Sequence, residues 1–193
     1  MAKLLHENKL TMKRYLVLIP NILSSVRLGL ACLFPFCPEP LWIWLILGSG
    51  ASDFLDGWCA RRWQVASWQG GLLDAVADKM FMLVALTTFA MTGKFPLWWI
   101  PAVIVRDLTV CLAAGYAVLI RSWSSFRDMG ARGSGKLATA GQFLLLLTVV
   151  LFPRAIPMAL VVTVLCSVLA AGDYGLLFYQ ALRQRKIRVE ARL

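Results

Sequence analysis

Residues 53–78 read DFLDGWCARRWQVASWQGGLLDAVAD and carry four aspartates within an otherwise apolar chain. Asp53 and Asp56 are three residues apart and Asp74 and Asp78 are four apart, so each pair occupies one face of a helix. An ionisable side chain inside an apolar span is costly and therefore needs a partner or a function. The stretch predicts two neighbouring helices that bring the four carboxylates to the same end of a helical bundle.

The composition predicts an all-α integral membrane protein. The chain has 193 residues, of which 60% are hydrophobic and 16% charged. With about 20 apolar residues for each crossing of a bilayer, this length allows roughly six transmembrane helices in a single membrane-embedded domain, residues 1–193. The apolar segments predicted to span are 19–36, 41–58, 72–91, 95–120, 137–152 and 156–181.

The basic residues set the expected topology. The formal net charge is +10, and lysines and arginines concentrate in the N-terminal segment 1–15, the loop 121–136 and the tail 183–193. Basic clusters beside apolar spans follow the positive-inside rule, so we expect a multi-pass protein with both termini in the cytoplasm. The same reasoning argues against a nucleic acid partner, although a basic protein would otherwise suggest one.

Four converging carboxylates would repel one another unless cations lay between them, and oxygen-rich clusters select hard divalent ions. Mg²⁺ or Mn²⁺ is the expected cofactor, and a pair of such ions can bridge a diphosphate during displacement at phosphorus. Gly57 and Gly70 would let the backbone approach a phosphate, and Arg61 would donate to it bidentately. The alternative is that the aspartates form structural ion pairs with basic residues, namely Arg61, Arg62, Lys79 and Arg106.

The sequence offers few other reactive groups. Its five cysteines lack metal-site spacing and are expected to be small core residues. Its single histidine, His6, lies in the N-terminal segment and is expected to be solvated. A carboxylate is therefore the best available general base.

Eight fixed positions of the stretch resemble the signature of the CDP-alcohol phosphatidyltransferase family. The matching residues are Asp53, Asp56, Gly57, Ala60, Arg61, Gly70, Asp74 and Asp78. The resemblance implies that family's six-transmembrane-helix bundle. It also implies transfer of a phosphatidyl group from CDP-diacylglycerol to an alcohol, with release of CMP and with two divalent ions as cofactors.

The resemblance also implies roles for individual residues. Asp53, Asp56 and Asp74 would ligate the metal ions, and Asp78 would share a metal while serving as the general base. Gly57, Ala60 and Arg61 would border the CDP moiety, with Gly70 forming the adjoining wall. Asn21 is expected at the CDP site too, because PNILS-x2-R at residues 20–27 resembles the first-helix opening of bacterial members. The bacterial inner membrane is the expected location.

The acceptor alcohol is predicted less directly. The segment GKLATAGQ at 135–142 and the pair Asp173-Tyr174 resemble the glycerol 3-phosphate branch, for which Arg106 and Lys136 are candidate ligands of the acceptor phosphate. Asp107 follows Arg106 where that branch commonly has a glutamate, which is more similar to cardiolipin synthases. Glycerol 3-phosphate is the leading acceptor and phosphatidylglycerol the alternative. Lys136 has a second interpretation, as a topology anchor at a helix start.

Two other function classes remain as alternatives. A cation transporter using the aspartates as a relay would place acids on several helices near the bilayer centre and show internal symmetry, which the sequence lacks. A catalytically inactive structural membrane protein would not require the complete signature. The expected partners are the donor, the acceptor and membrane lipids, with a homodimer left open.

Overall fold

The computed structural model describes residues 21–63, 68–119 and 133–190. Within these ranges the chain is helical and contains no strand, in agreement with the predicted all-α class. The chain forms two compact units, Met1–Lys94 and Phe95–Leu193.

The first unit contains three helices. Helix α1 occupies 21–33 and continues into a 3₁₀ turn at Phe34–Phe36; α2 is Glu39–Trp63 and α3 is Trp68–Met91. Cys37 is extended, with φ −84° and ψ 142°, because the ring of the following Pro38 disfavours helical geometry. This break separates α1 from α2.

Aromatic packing holds one end of the first unit together. The ring of Phe34 is buried, with its centroid 5.8 Å from Trp42, 5.7 Å from Phe81 and 5.6 Å from Phe89. Lys94 Nζ lies 2.9 Å from Glu39 Oε2 and sits over the Trp42 ring. The 3₁₀ turn, the start of α2 and the end of α3 are therefore joined by a shared apolar core.

The second unit packs around one long helix. Its helices are α4 (Trp99–Val103), α5 (Val105–Leu119), α6 (Gly133–Leu151) and α7 (Ile156–Glu190), with a 3₁₀ turn at Pro153–Ala155 before α7. Helices α4, α5 and α6 all pack against α7. The core of this unit is formed by Val103, Leu145, Leu146, Val149, Leu160 and Ala170.

The predicted apolar segments lie in helix over most of the residues described, although 95–98, at the start of the fourth segment, precede α4 and are not helical. The fourth segment is divided at Ile104, where φ is −96° and ψ is 6°, and the carbonyl of Val103 instead accepts side-chain hydrogen bonds. Helices α2 and α7 extend beyond Trp58 and Ala181, the ends of their apolar segments. Backbone hydrogen bonds sustain a helix whether or not its side chains are apolar, which explains the longer helices.

One helix in the described part of the chain, Pro153–Gln180, is long and apolar enough to cross a membrane. Only 28% of its most apolar window is buried. Two shorter apolar helices occupy Asn21–Phe36 and Leu137–Leu151. The six-span count remains a prediction. So does the topology, because the segment 1–15, the loop residues 121–132 and the last residues of the tail, 191–193, lie outside the described residues.

Candidate active site

Three of the four predicted aspartates come together in the first unit. Asp53 and Asp56 lie on α2 and Asp74 lies near the start of α3. One carboxylate oxygen from each lies within 4.8 Å of the others. The spacing of three residues on α2 places its two carboxylates on one face, and α3 supplies the third.

Arg27 of α1 lies among these carboxylates. Its Nη1 is 3.0 Å from Asp53 Oδ1 and 2.8 Å from Asp74 Oδ1, and its Nη2 is 3.0 Å from Asp56 Oδ2. The Arg27 side chain is fully buried. One guanidinium therefore contacts all three carboxylates.

The three carboxylates differ in their exposure. The Asp56 side chain is 3% exposed and accepts a hydrogen bond from Ser24 Oγ at 3.4 Å, whereas Asp53 is 54% exposed and Asp74 38%. Ser52 Oγ donates to the carbonyl oxygen of Leu23 and so helps to link α1 to α2. The cluster has a buried side, formed by Arg27 and Asp56, and an accessible side from which a ligand can approach.

Asp78 lies outside the group of three. It is one helical turn after Asp74 on α3, and its Oδ2 is 3.0 Å from Lys79 Nζ. Its side chain is 28% exposed. The predicted base is therefore not one of the three carboxylates that Arg27 contacts.

The residues of this cluster fit a divalent cation. Three carboxylates and one guanidinium leave a formal excess of two negative charges when all are ionised, and hard oxygen donors are the ligands that Mg²⁺ and Mn²⁺ prefer. Ion pairs with Arg27 and Lys79 account for part of the negative charge, but not for that excess. Of the structural ion pairs predicted for these aspartates, the described residues show the one between Lys79 and Asp78, and such pairing is compatible with a metal site.

The structure describes some, but not all, of the other residues predicted at the CDP site. Gly57 follows Asp56 on α2, and Gly70 lies in the first turn of α3. Asn21 is the first described residue of α1, and its Oδ1 is buried without a hydrogen-bond partner among the described residues. The side chains of Ala60 and Arg61 lie outside the described residues.

The second unit contains a separate polar cluster around Arg106. Its Nη1 donates to Asp107 Oδ1 over 2.7 Å and approaches Thr139 Oγ1 at 3.5 Å, and its guanidinium lies over the Tyr174 ring. A Cβ on Gly135 would stand 2.6 Å from the Tyr174 hydroxyl oxygen and 2.8 Å from Arg106 Nη2, so only glycine leaves both side chains where they are. The side chain of the neighbouring Lys136 lies outside the described residues.

Asp107 also belongs to a buried network. Gln142 Nε2 donates to Asp107 Oδ2 at 2.7 Å and to the Val103 carbonyl at 3.1 Å, and Ser167 Oγ donates to the same carbonyl at 2.7 Å. Gln142 and Ser167 are fully buried. These side chains stabilise the helix interruption at Ile104 and hold Asp107 beside Arg106.

The sequence model of one protein family, CDP-alcohol phosphatidyltransferase, matches residues 8–170, which is most of the chain. This chain belongs to the CDP-alcohol phosphatidyltransferase family. The resemblance of residues 53–78 to the signature of that family is thereby confirmed. Three members of the signature are the aspartates that contact Arg27.

Two groups of named relatives are similar to this family member. A CMP-forming cardiolipin synthase of Streptomyces coelicolor is 36% identical over 50% of each chain, and a putative cardiolipin synthase of Mycobacterium bovis is 33% identical over 70% of this chain and 65% of its own. A CDP-diacylglycerol–glycerol-3-phosphate 3-phosphatidyltransferase of Pectobacterium atrosepticum is 32% identical over 72% and 79%. The match thus spans half to two thirds of these cardiolipin synthases.

Arg27 is the residue of this aspartate cluster to which sequence reasoning assigned no role. Its position was visible as the last residue of the PNILS-x2-R motif, in a helix with few other charges. A buried arginine in an apolar helix needs an anionic partner, and that requirement was the available signal. The identity of its partners could not be read from the sequence, because they lie 26 to 47 residues away.

Proposed function

We propose that this protein transfers a phosphatidyl group from CDP-diacylglycerol to an alcohol and releases CMP. The observation that carries the proposal is the grouping of Asp53, Asp56 and Asp74 around Arg27, with two of the carboxylates accessible. Family membership supports the same reaction class. Divalent ions held by these carboxylates would stabilise negative charge on the diphosphate of the donor.

The reaction is a displacement at phosphorus. The acceptor hydroxyl oxygen bonds to the phosphorus that carries diacylglycerol, the bond from that phosphorus to the CMP oxygen breaks, and the hydroxyl proton passes to a carboxylate. We assign the proton to Asp78, which is partly exposed and is not contacted by Arg27. Asp53, Asp56 and Asp74 are assigned to binding two Mg²⁺ or Mn²⁺ ions, and Asp78 is assigned to sharing one of them.

We assign the CDP moiety to residues around the start of α1 and the junction of α2 with α3. The partnerless Oδ1 of Asn21 is a buried acceptor that a donor on the nucleotide could satisfy. Gly57 and Gly70 have no side chain that would obstruct a ligand near the carboxylates. Ala60 and Arg61 follow Gly57 at the end of α2. Arg61 would donate to phosphate oxygens.

Glycerol 3-phosphate is the acceptor that we propose. Arg106 Nε is buried without a partner among the described residues, so this guanidinium retains a donor for an anionic ligand. Lys136 follows Gly135, which lies against Arg106, and is assigned as a second cation. The glycerol-3-phosphate relative from Pectobacterium atrosepticum also aligns over a larger share of its length than the two cardiolipin synthases do.

One observation favours phosphatidylglycerol as the acceptor instead, which would make the protein a cardiolipin synthase. Asp107 already neutralises the Arg106 guanidinium through a 2.7 Å hydrogen bond. A paired arginine attracts a dianion less strongly than a free one, whereas a lipid acceptor needs less cationic charge. Two of the relatives carry the cardiolipin synthase name.

The proposed location is the bacterial inner membrane, with several spans and cytoplasmic termini. Large apolar side chains are exposed in both units, among them Trp44, Phe54, Leu112, Leu144 and Leu169. Exposed apolar surface of this extent favours a lipid environment over water.

The decisive assay supplies purified protein with CDP-diacylglycerol, Mg²⁺ and either glycerol 3-phosphate or phosphatidylglycerol. We expect CMP release with glycerol 3-phosphate, and Lys136→Ala should raise its KM by at least about tenfold through loss of a charge-assisted contact. Lys94→Ala, which removes a lysine from the aromatic end of the first unit, is the control. Cardiolipin formation without use of glycerol 3-phosphate would instead establish the second acceptor.

A further inference from the structure

The terminal nitrogens of Arg27 are fully committed to protein partners. Each carries two hydrogens. Nη1 faces Asp53 at 3.0 Å and Asp74 at 2.8 Å; Nη2 faces Asp56 at 3.0 Å and Ser52 Oγ at 3.4 Å. A substrate phosphate could use these hydrogens only by displacing a carboxylate or the Ser52 hydroxyl.

Arg27 also joins all three helices of the first unit at their carboxylate end. It lies on α1, two of its acidic partners lie on α2 and the third lies on α3. The guanidinium and Asp56 are almost completely buried, so their attraction is weakly screened by water. Without a cation at this position, the carboxylates would repel one another across the helix junction.

We propose that Arg27 is a positioning residue that serves as a resident counter-cation. It holds the three carboxylates together in the metal-free protein and leaves the second oxygen of each uncommitted to Arg27. This inference rests on the proposed metal site. The inference adds that Arg27 keeps the three carboxylates close together even when no metal ion is bound.

This role differs from that of a residue that only links the helices, here called a tie. The contribution of a tie to stability would be the same with and without bound metal. A counter-cation matters most when no divalent ion is present, because a bound ion takes over the neutralisation of the carboxylates. The dependence on metal therefore distinguishes the two.

The test measures the melting temperature of purified Arg27→Met in detergent, with EDTA and with saturating Mg²⁺. Methionine keeps much of the side-chain volume and removes the charge. In EDTA we expect a loss of at least about 6 °C relative to the wild type, as for a buried ion pair broken on one side in a chain of this size. In Mg²⁺ we expect at least half of that loss to be recovered.

Two variants control this measurement. Arg62→Met removes an exposed arginine from α2 and should melt as the wild type does under both conditions. Arg27→Met combined with Asp56→Asn restores the original charge balance, so it should melt higher in EDTA than Arg27→Met alone. The double variant also tests the inference if the single variant does not fold.

The outcomes separate this inference from the proposed function. If Mg²⁺ raises the melting temperature of neither the wild type nor any variant, the proposed metal site is wrong. The counter-cation role of Arg27 then fails with it. If Mg²⁺ stabilises the wild type and Arg27→Met equally, the metal site stands and Arg27 is only a tie. An Arg27→Met and Asp56→Asn double variant that melts no higher in EDTA than Arg27→Met alone, or that also fails to fold, would likewise overturn the role.

Discussion

Arg106 Nη1 donates to Asp107 Oδ1 over 2.7 Å, so the cation assigned to the acceptor phosphate is already half of an ion pair. The Asp107 carboxylate is held in place by Gln142 on its other oxygen. Asp107 therefore reduces the attraction of Arg106 for an anionic acceptor, and it can do so without contacting the acceptor itself. The choice between a phosphate-bearing and a lipid acceptor can therefore be tested at Asp107.

Asp107→Asn should shift the acceptor preference toward glycerol 3-phosphate. Asparagine can still accept from Gln142 but no longer neutralises Arg106, which strengthens attraction of a dianion by about 1 kcal/mol, or roughly fivefold. The measurement is the ratio of kcat/KM for glycerol 3-phosphate to that for phosphatidylglycerol. An unchanged or lower ratio would show that Arg106 does not bind the acceptor phosphate.

Asp53→Asn and Asp56→Asn should both abolish turnover but should differ in stability. Each removes a proposed metal ligand. Asp53 is 54% exposed, so its loss should change the unfolding free energy by less than about 1 kcal/mol. Asp56 is 3% exposed and accepts buried hydrogen bonds from Arg27 and Ser24, so its loss should cost about 1 to 3 kcal/mol, although Arg27 stays paired with Asp53 and Asp74.

The control for both aspartate variants is Glu39→Gln, which removes an exposed carboxylate from the other end of the same unit. It should retain turnover. EDTA should abolish the activity of the wild type. Activity near the wild-type level in Asp53→Asn would rule out that residue as a metal ligand.

Gly135→Ala should weaken acceptor binding by displacing the Arg106 side chain. The new Cβ would come within 2.8 Å of Arg106 Nη2 and 2.6 Å of the Tyr174 hydroxyl oxygen, so both side chains must shift. We expect the KM for glycerol 3-phosphate to rise roughly fivefold, a loss of about 1 kcal/mol. Gly115→Ala is the matched control, since a Cβ there meets nothing within 4 Å. Equal kinetics in the two variants would contradict the acceptor role of Arg106.

Gln142→Leu should lower the free energy of unfolding by about 2 to 4 kcal/mol. It leaves Asp107 and the Val103 carbonyl each without one buried hydrogen bond. Chemical denaturation in detergent would measure the change. Gln180→Leu, which replaces an exposed glutamine on α7, should change stability by no more than about 0.5 kcal/mol.

Cysteine labelling in intact cells would test the proposed topology. In a variant without native cysteines, Met91→Cys should react with an impermeant reagent from outside the cytoplasm, and Asp128→Cys should react only after the membrane is opened. The side chain of Met91 is exposed at the end of α3. The opposite labelling pattern would invert the arrangement derived from the positive-inside rule.

Helix positions and aspartate grouping were accessible from the sequence because both depend on local periodicity. The spacing of Asp53 and Asp56 fixes a shared helix face wherever the helix packs. Arg27 shows the limit of this reasoning: its partners are set by how α1 packs against α2 and α3, which spacing along the chain does not encode. The interruption at Ile104 was hidden for a similar reason, since it is stabilised by Gln142 and Ser167 from two distant helices.

The length of the apolar part of α7 has a consequence for the lipids that suit this protein. The range Pro153–Gln180 includes Arg154 and Asp173, and its most apolar window has 18 residues. At a rise of about 1.5 Å per residue this window extends about 27 Å, close to the roughly 30 Å of hydrocarbon in a typical bilayer. A spanning α7 therefore needs little tilt, and vesicles of much longer-chain phosphatidylcholine should lower the melting temperature because their hydrocarbon would exceed the apolar window.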